Sequence, residues 1–267
     1  MKSFVAACLY LLFSTVSAEA SDFLKGAHAY SSGDYETALE VWTPLAEGGD
    51  ADSQVGLGGM YLSGLSVQRN LETAYGWFTR AAEQGNAEAE FTLGVMHHSG
   101  QGVPQNLKKA LKWYTLAAEK GHPRASFNLG WMYHHGEGVF SDLETAFNWY
   151  LSSAEAGMAD AQVMVAMMYS GGEGVEEDWE ASNNWYRRAA EQGHPRGQSQ
   201  LGLIYAIGMG VPQDSIIGYM WLELASINGD PNAQAAKASV AQRMTPDEIE
   251  RAKGLAQECR QKEYKNC

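Results

Sequence analysis

The histidines and the glycine-rich loops are the parts of this sequence whose residue types and spacing could bind a metal ion or a cofactor. The histidines are densest at His97-His98 and His134-His135, and imidazole nitrogens are common ligands of zinc. A zinc site needs three or four ligands, and no cysteine or carboxylate accompanies His98 and His134 at a suitable spacing. The sequence therefore predicts no metal site and no other cofactor.

The glycine-rich tetrads have the form G-x-G-V and imitate part of a dinucleotide-binding motif. That motif needs a strand before the glycines and a helix start directly after them. Here the glycines follow a predicted helix and recur along the chain, which favours a structural turn. The chain also has no G-x-S-x-G, H-E-x-x-H or S-x-x-K motif, so we predict that it is not an enzyme.

The first 20 residues have the pattern of a secretory signal peptide. Lys2 precedes an apolar stretch from Phe4 to Val16, and small residues follow it up to Ala20. We expect cleavage after Ala20 or after Ala18. The stretch is shorter than the roughly 20 residues that span a membrane, although an uncleaved N-terminal anchor is the alternative. The sequence therefore predicts a periplasmic or secreted protein without a membrane-inserted mature chain.

Two cysteines, Cys259 and Cys267, remain after the predicted leader. Cysteine pairs usually form disulfides in an oxidising compartment, so we expect a bridge between them. The alternative is that Cys259 is a buried apolar residue and Cys267 a free thiol.

The charge balance is acidic and bears on the class of partner. The chain has 267 residues, with 19 Lys and Arg against 32 Asp and Glu and a net charge of −13. Nucleic-acid binding needs clustered basic residues to neutralise phosphates. We therefore predict that the protein binds no nucleic acid.

Four series of residues recur with a period of 36 and show that the chain is built from repeats. Their members are the turn glycines Gly49, Gly85, Gly121, Gly157, Gly193 and Gly229; the tryptophans Trp77, Trp113, Trp149, Trp185 and Trp221; the tetrads Gly100–Val103, Gly136–Val139, Gly172–Val175 and Gly208–Val211; and Asp34, Asn70, Asn106, Asp142, Asp178 and Asp214.

Each repeat contains the signals of two helices. The Asp and Asn series precedes an apolar periodic segment and can accept the N-terminal N–H groups of a helix. That helix ends at the turn glycine, and a second helix follows, with proline at its first position after His122, His194 and Asp230. The expected unit is helix–loop–helix.

The pattern W-Y-x-x-A-A-E-x-G-x-x-x-A-x-x-x-L-G-x-M-Y-x-x-G-x-G-V, from Trp113 to Val139, resembles the Sel-one-like repeat family of tetratricopeptide-like proteins. The resemblance implies an all-α, right-handed α-solenoid of stacked helix–loop–helix repeats. We expect about six units over residues 21–229 and a C-terminal helical cap over residues 230–267, with Thr245 and Glu248 in a capping box.

The same resemblance implies a scaffold that binds a protein or peptide on the inner face of the solenoid, and we expect a monomer. Such a scaffold could assemble an envelope complex or regulate a sensor. The alternative is a cell-envelope hydrolase or a β-lactam-binding protein, but the cysteine pair that marks such members in each repeat is missing here.

The candidate binding residues are those with inner-face spacing on the second helices. Trp131 is unusual among them because Val95, Met167 and Leu203 hold its position in other repeats. We interpret it as an interface anchor, and the alternative is that it fills a gap between repeats. The complete predicted set is Arg124, Asn128, Trp131, His135, Arg196, Gln200 and Leu203.

Overall fold

The computed structural model describes residues 22–267, and this part of the chain is α-helical without a β-strand. The predicted signal peptide, residues 1–20, lies outside the described residues. The helices are α1 (residues 22–31), α2 (Tyr35–Glu47), α3 (Ala51–Ser63), α4 (Leu71–Glu83), α5 (Ala87–Ser99), α6 (Leu107–Glu119), α7 (Pro123–His135), α8 (Leu143–Glu155), α9 (Ala159–Gly171), α10 (Trp179–Glu191), α11 (Pro195–Ile207), α12 (Ser215–Ile227), α13 (Ala233–Ala241) and α14 (Pro246–Gln261).

The helices follow the predicted period of 36 residues. We call α2, α4, α6, α8, α10 and α12 the A helices, and α3, α5, α7, α9, α11 and α13 the B helices. All A helices and the first five B helices are 13 residues long. The prediction of an all-α fold made of repeated helix pairs is confirmed.

The A helices begin at the predicted Asp and Asn residues. In each case the side-chain Oδ1 accepts the backbone N–H three residues later, as Asp142 does from Thr145 at 3.1 Å. This contact satisfies one of the N–H groups that the first turn of a helix leaves unpaired. The same bond occurs at Asp34, Asn70, Asn106, Asp178 and Asp214.

The described residues divide into two compact units, residues 22–122 and residues 123–267, which we call unit 1 and unit 2. In unit 1, buried alanines and one large residue per A helix form the core, including Trp42 and Phe78. In unit 2 the corresponding large residues are Tyr150, Tyr186 and Leu222, and the neighbouring Trp221 is also buried. The alternation of small and large side chains thus fills the core of each unit.

Glycines in the B helices receive the aromatic and aliphatic side chains of the A helices that follow them. A Cβ atom on Gly130 would lie 2.6 Å from Cδ1 of Tyr150, and one on Gly94 would lie 2.5 Å from the ring of Tyr114. No side chain larger than hydrogen fits at these contacts without a shift. The glycine therefore allows each B helix to pack closely against the A helix that follows it.

The last repeat departs from the expected start of its B helix. Pro231 was predicted at the first helical position, but α13 begins at Ala233. The Asp230 Oδ1 atom accepts the N–H groups of Asn232 at 2.8 Å and Ala233 at 2.9 Å, which holds Pro231 in a turn. As a result α13 is only nine residues long.

The C-terminal segment closes on unit 2. Helix α14 begins with the capping box of Thr245 and Glu248, as predicted. A disulfide joins Cys259 to Cys267. Between them Tyr264, with φ of +64°, packs against Gly193 and donates a hydrogen bond to Asn228 Oδ1 at 3.1 Å.

Candidate polypeptide-binding face

The predicted binding residues lie on two B helices of unit 2. Arg124, Asn128, Trp131 and His135 share one side of α7, and Arg196, Gln200 and Leu203 hold the equivalent positions on α11. Each of these side chains is exposed or half-buried. In stacked repeats, equivalent positions lie on one common side. We call this side of α7, α9 and α11 the B face.

Trp131 is the largest exposed side chain on the B face, and 39% of its surface is accessible. Its ring stacks on the His135 ring with 3.8 Å between centroids. The Nε1 group of Trp131 donates a hydrogen bond to Glu137 Oε1 at 3.4 Å, and His135 Nδ1 lies 3.0 Å from the Trp131 carbonyl oxygen. The indole is therefore held in one orientation with part of its surface in solvent.

Two half-buried methionines lie on α9, on the side that Trp131 holds on α7. Met167 and Leu203 hold the position of Trp131 on α9 and α11, and both are half-buried. Trp131, Met167 and Leu203 together form what we call the apolar row. Met164, one turn before Met167, is also half-buried. Sequence reasoning did not select the two methionines, because methionine in a helix is more often a core residue.

The charges on the B face of unit 2 differ from those of the whole chain. Arg124, Asp160 and Arg196 hold equivalent positions near the N-termini of α7, α9 and α11. Asp160 Oδ1 lies 3.1 Å from His194 Nε2. Arg196 makes no ion pair within the described residues. Two arginines and one aspartate therefore hold this position along the apolar row, in a protein with a net charge of −13.

A groove runs between α11 and α13 at the last repeat. Its wider part has a volume of about 530 Å³ and is lined by Arg196, Gln200 and Leu203 on α11 and by Asp230 to Asn232 and Ala236 on the other side. A second part of about 180 Å³ shares Leu203 and Ala236 and extends to Ile207, Val240 and Arg243. We call the two parts the terminal groove. It brings together the three predicted residues of α11, whereas the four of α7 lie elsewhere.

The dense histidine pairs are used in packing. Burial lowers the pKa of His97, and the charge of Lys109 lowers it further. Burial also lowers the pKa of His134, whose Nε2 is 4.0 Å from Glu173 Oε2. Within residues 22–267, no group of three or more His, Cys, Asp or Glu side chains is placed to hold a metal ion.

Comparison with protein families identifies the repeats. The Sel1 repeat family matches residues 51–86, 87–122, 123–158, 159–194 and 195–230, which is more than half of the chain. Each matched segment consists of one B helix and the A helix that follows it.

Two solved structures are similar in both sequence and fold. A Sel1 repeat protein from Oxalobacter formigenes is 29% identical with a TM-score of 0.76, and the match covers 88% of this chain and 99% of that one. The protein c5321, a protective antigen present in uropathogenic Escherichia coli strains that displays an SLR fold, is 28% identical with a TM-score of 0.58; the match covers 92% of this chain and 62% of that one.

Curated protein sequences contain no match to the chain. None of the helices within residues 22–267 is both long enough and apolar enough to cross a membrane. From the five matched segments and the helix pairs that they form, we conclude that this chain belongs to the Sel1 repeat family, whose members are generally scaffolds for protein interactions.

Proposed function

We propose that this protein is a non-catalytic scaffold of the periplasm or secreted space that binds a protein or peptide through the B face of unit 2. The observation that carries the proposal is the apolar row of Trp131, Met167 and Leu203, in which Trp131 is exposed and the other two side chains are half-buried. Accessible apolar surface bordered by polar residues is typical of interaction sites.

The residue types of the B face suit a protein interface. Tryptophan and arginine are enriched among the residues that dominate binding energy, and Trp131 lies on the same helix side as Arg124. Methionine side chains are flexible and adapt to different apolar partners, which makes Met164 and Met167 suitable neighbours. An indole already held by His135 loses little conformational entropy on binding.

The disulfide between Cys259 and Cys267 supports a location outside the cytoplasm, because such bonds persist in oxidising compartments. Together with the predicted leader it favours a role in an envelope complex or beside a sensor. The mass of the mature protein from the periplasmic fraction tests the location. It should correspond to a chain beginning at Glu19 or Ser21.

The double variant Trp131→Ala with Arg124→Ala tests the binding face. We expect loss of a partner captured by cross-linking from the periplasm, since truncating an interface anchor typically costs about 2 kcal/mol or more of binding energy. The thermal melt should shift little, because exposed substitutions usually change stability by about 0.5 kcal/mol or less. Capture with mass spectrometry and a circular dichroism melt are the two measurements.

Phe140→Ala is the matched control, because Phe140 is 95% exposed in a loop outside the B face. It should keep the partner. A destabilised double variant that still captures its partner would contradict the binding-face assignment. Turnover of a panel of peptidoglycan and β-lactam substrates by the purified protein would instead support the hydrolase alternative.

A further inference from the structure

Helix α13 leaves space beside α11 because its side chains are small. Val240 holds the position that Met132, Met168 and Ile204 occupy in earlier B helices. Ala241 likewise replaces a tyrosine, which is Tyr133, Tyr169 or Tyr205 in the other repeats of unit 2. Ala233 is the one fully buried residue of α13. The side chains of α13 that line the terminal groove, Ala236, Ser239 and Val240, are all small.

Contacts that α13 makes with α12, and at its own N-terminus, hold the helix in place. The Lys237 Nζ atom lies 2.6 Å from Glu223 Oε2 on α12, and Asp230 caps the start of the helix. Both members of the Lys237–Glu223 pair are largely shielded from solvent. These contacts fix α13 against α12 and leave Ala236, Ser239 and Val240 along the groove.

The terminal groove has apolar side chains in its middle and an arginine in each of its two parts. Leu203, Ile207 and Val240 form its apolar middle, and Ile207 is 54% exposed. Arg196 lines one part and Arg243 the other. Neither arginine makes an ion pair within the described residues. The Asp230 Oδ1 atom accepts two backbone N–H groups, and Asp230 makes no ion pair with Arg196.

The length of the groove follows from the helix that forms one wall. Arg196 and Ile207 are separated by 11 positions on α11, which corresponds to about 16 Å along the axis. Arg243 lines the same end as Ile207. An extended peptide covers this distance with about five residues, and its alternate side chains point to the same side.

We propose that the terminal groove binds an extended peptide segment with an aliphatic residue at its centre and a carboxylate at each end. This inference rests on the proposed polypeptide-binding function and names the chemistry of the partner. The two carboxylates pair with Arg196 and Arg243, and the central side chain covers Leu203, Ile207 and Val240. Arginine suits this role because its guanidinium group forms two parallel hydrogen bonds with a carboxylate.

Three labelled peptides test the chemistry by fluorescence anisotropy with the purified full mature chain. The first contains Glu-Ser-Leu-Ser-Glu and should bind. The second, Lys-Ser-Leu-Ser-Lys, and the third, Glu-Ser-Ser-Ser-Glu, should each bind about tenfold more weakly or not at all, because one lacks the carboxylates and the other the aliphatic side chain. Equal binding of all three, or no binding of the first at about 1 mM, overturns the proposal.

Two matched variants test the location. Ala236→Trp fills the groove, whereas Ala235→Trp adds the same ring at an exposed position of α13 outside the groove. We expect the first to weaken binding of the Glu-Ser-Leu-Ser-Glu peptide about tenfold or more and the second to leave it unchanged. Arg196→Glu and Arg243→Glu should each weaken binding about tenfold, without a change in the circular dichroism melt. Unchanged binding by Ala236→Trp that melts like the wild type overturns the location.

The proposed function fails separately from this inference. If Trp131→Ala with Arg124→Ala abolishes partner capture while no peptide binds, the scaffold stands and the terminal groove is not its peptide site. If the peptide binds as expected and the variant Trp131→Ala with Arg124→Ala still captures its partner, the terminal groove is supported as a peptide site. The assignment of the binding face on α7 is then contradicted.

Discussion

Gly130 shows how one side chain decides the distance between two helices. Its Cα faces the ring of Tyr150, which is fully buried. Burial also raises the pKa of Tyr150 far above its ordinary value. The position therefore accepts only hydrogen, although glycine in a helix interior normally costs stability relative to alanine.

Gly130→Ala should destabilise the protein by about 1–3 kcal/mol, because its Cβ would lie 2.6 Å from a ring that has no space to move. The melting temperature, followed by circular dichroism, measures the effect. Gly254→Ala is the control in α14 of the same unit, since a Cβ there has no neighbour within 4 Å. It should raise stability by up to about 1 kcal/mol. A Gly130→Ala variant as stable as the wild type would contradict the packing contact.

His97 is a second residue that should have a measurable effect, in this case on how the stability of the protein depends on pH. It holds the position of Tyr133, Tyr169 and Tyr205 in other repeats, and its side chain is buried with the Tyr75 ring edge-on at 5.7 Å. Burial, followed by the charge of Lys109, lowers its pKa. An unfolded histidine has a pKa of about 6.5, which is higher than the pKa of His97 in the folded chain. As the pH falls through this range, the unfolded chain therefore binds more protons at His97 than the folded chain does.

Stability should consequently fall as the pH is lowered from about 7 to 5, and His97→Tyr should reduce this fall. Urea unfolding at several pH values measures it. His28→Tyr is the control at an exposed histidine and should leave the pH profile unchanged. Identical profiles for His97→Tyr and the wild type would show that His97 does not contribute.

Polar pairs between helix elements link residues that lie 30 positions apart. Gln84 donates to Gln54 at 2.9 Å, Gln192 to Gln162 at 2.8 Å and Asn228 to Gln198 at 2.9 Å. One repeat uses an ion pair at the same positions, with Lys120 Nζ 2.6 Å from Glu90 Oε1. The Glu90 side chain is only 3% exposed.

Lys120→Ala should therefore destabilise the protein by about 2–3 kcal/mol, because it leaves a buried carboxylate without its cation. The double variant Glu90→Gln with Lys120→Gln introduces the pair found at Gln54 and Gln84 and should recover most of this loss. Chemical denaturation of the three proteins measures the difference. If the double variant is no more stable than Lys120→Ala, the two side chains do not act as a pair.

Each of the two units is a series of repeats, and within a unit each repeat contacts its neighbours along the sequence. In such proteins the stability is approximately the sum of repeat and interface contributions. Removal of residues 159–194 joins Met158, which precedes a B helix, to Pro195, which begins the next one. The join keeps the 36-residue period, although it replaces the cap residue His194, whose side chain accepts the Gly197 N–H, with Met158.

This deletion should give a shorter helical protein that unfolds cooperatively at a lower temperature. Circular dichroism and calorimetry measure its helix content and transition. Deletion of residues 159–190 is the control, because it disturbs the 36-residue period and should prevent the neighbouring repeats from packing. Loss of all structure in the first deletion would contradict a fold held together by contacts between successive repeats.

The sequence alone determined the class of fold and most of its helices. Each A helix could be placed because a cap residue such as Asp142 and a turn glycine such as Gly157 act within a few residues of the helix end. The importance of Gly130 was also predictable, since its spacing repeats at Gly94 and Gly202. Cap residues and turn glycines act over short distances in the sequence. Because they recur at a constant period, they support one another and allow the helix ends to be predicted.

Only the tertiary structure decided which side chains remain accessible. The sequence left open whether Trp131 fills a gap, and its exposure follows from the stacking on His135. The turn at Pro231 was mispredicted because Asp230 caps two N–H groups farther along the chain. The terminal groove arises from that late start and from the small side chains of α13, set against α11 by the contact of Lys237 with Glu223. Such features depend on contacts between distant residues, which no local pattern encodes.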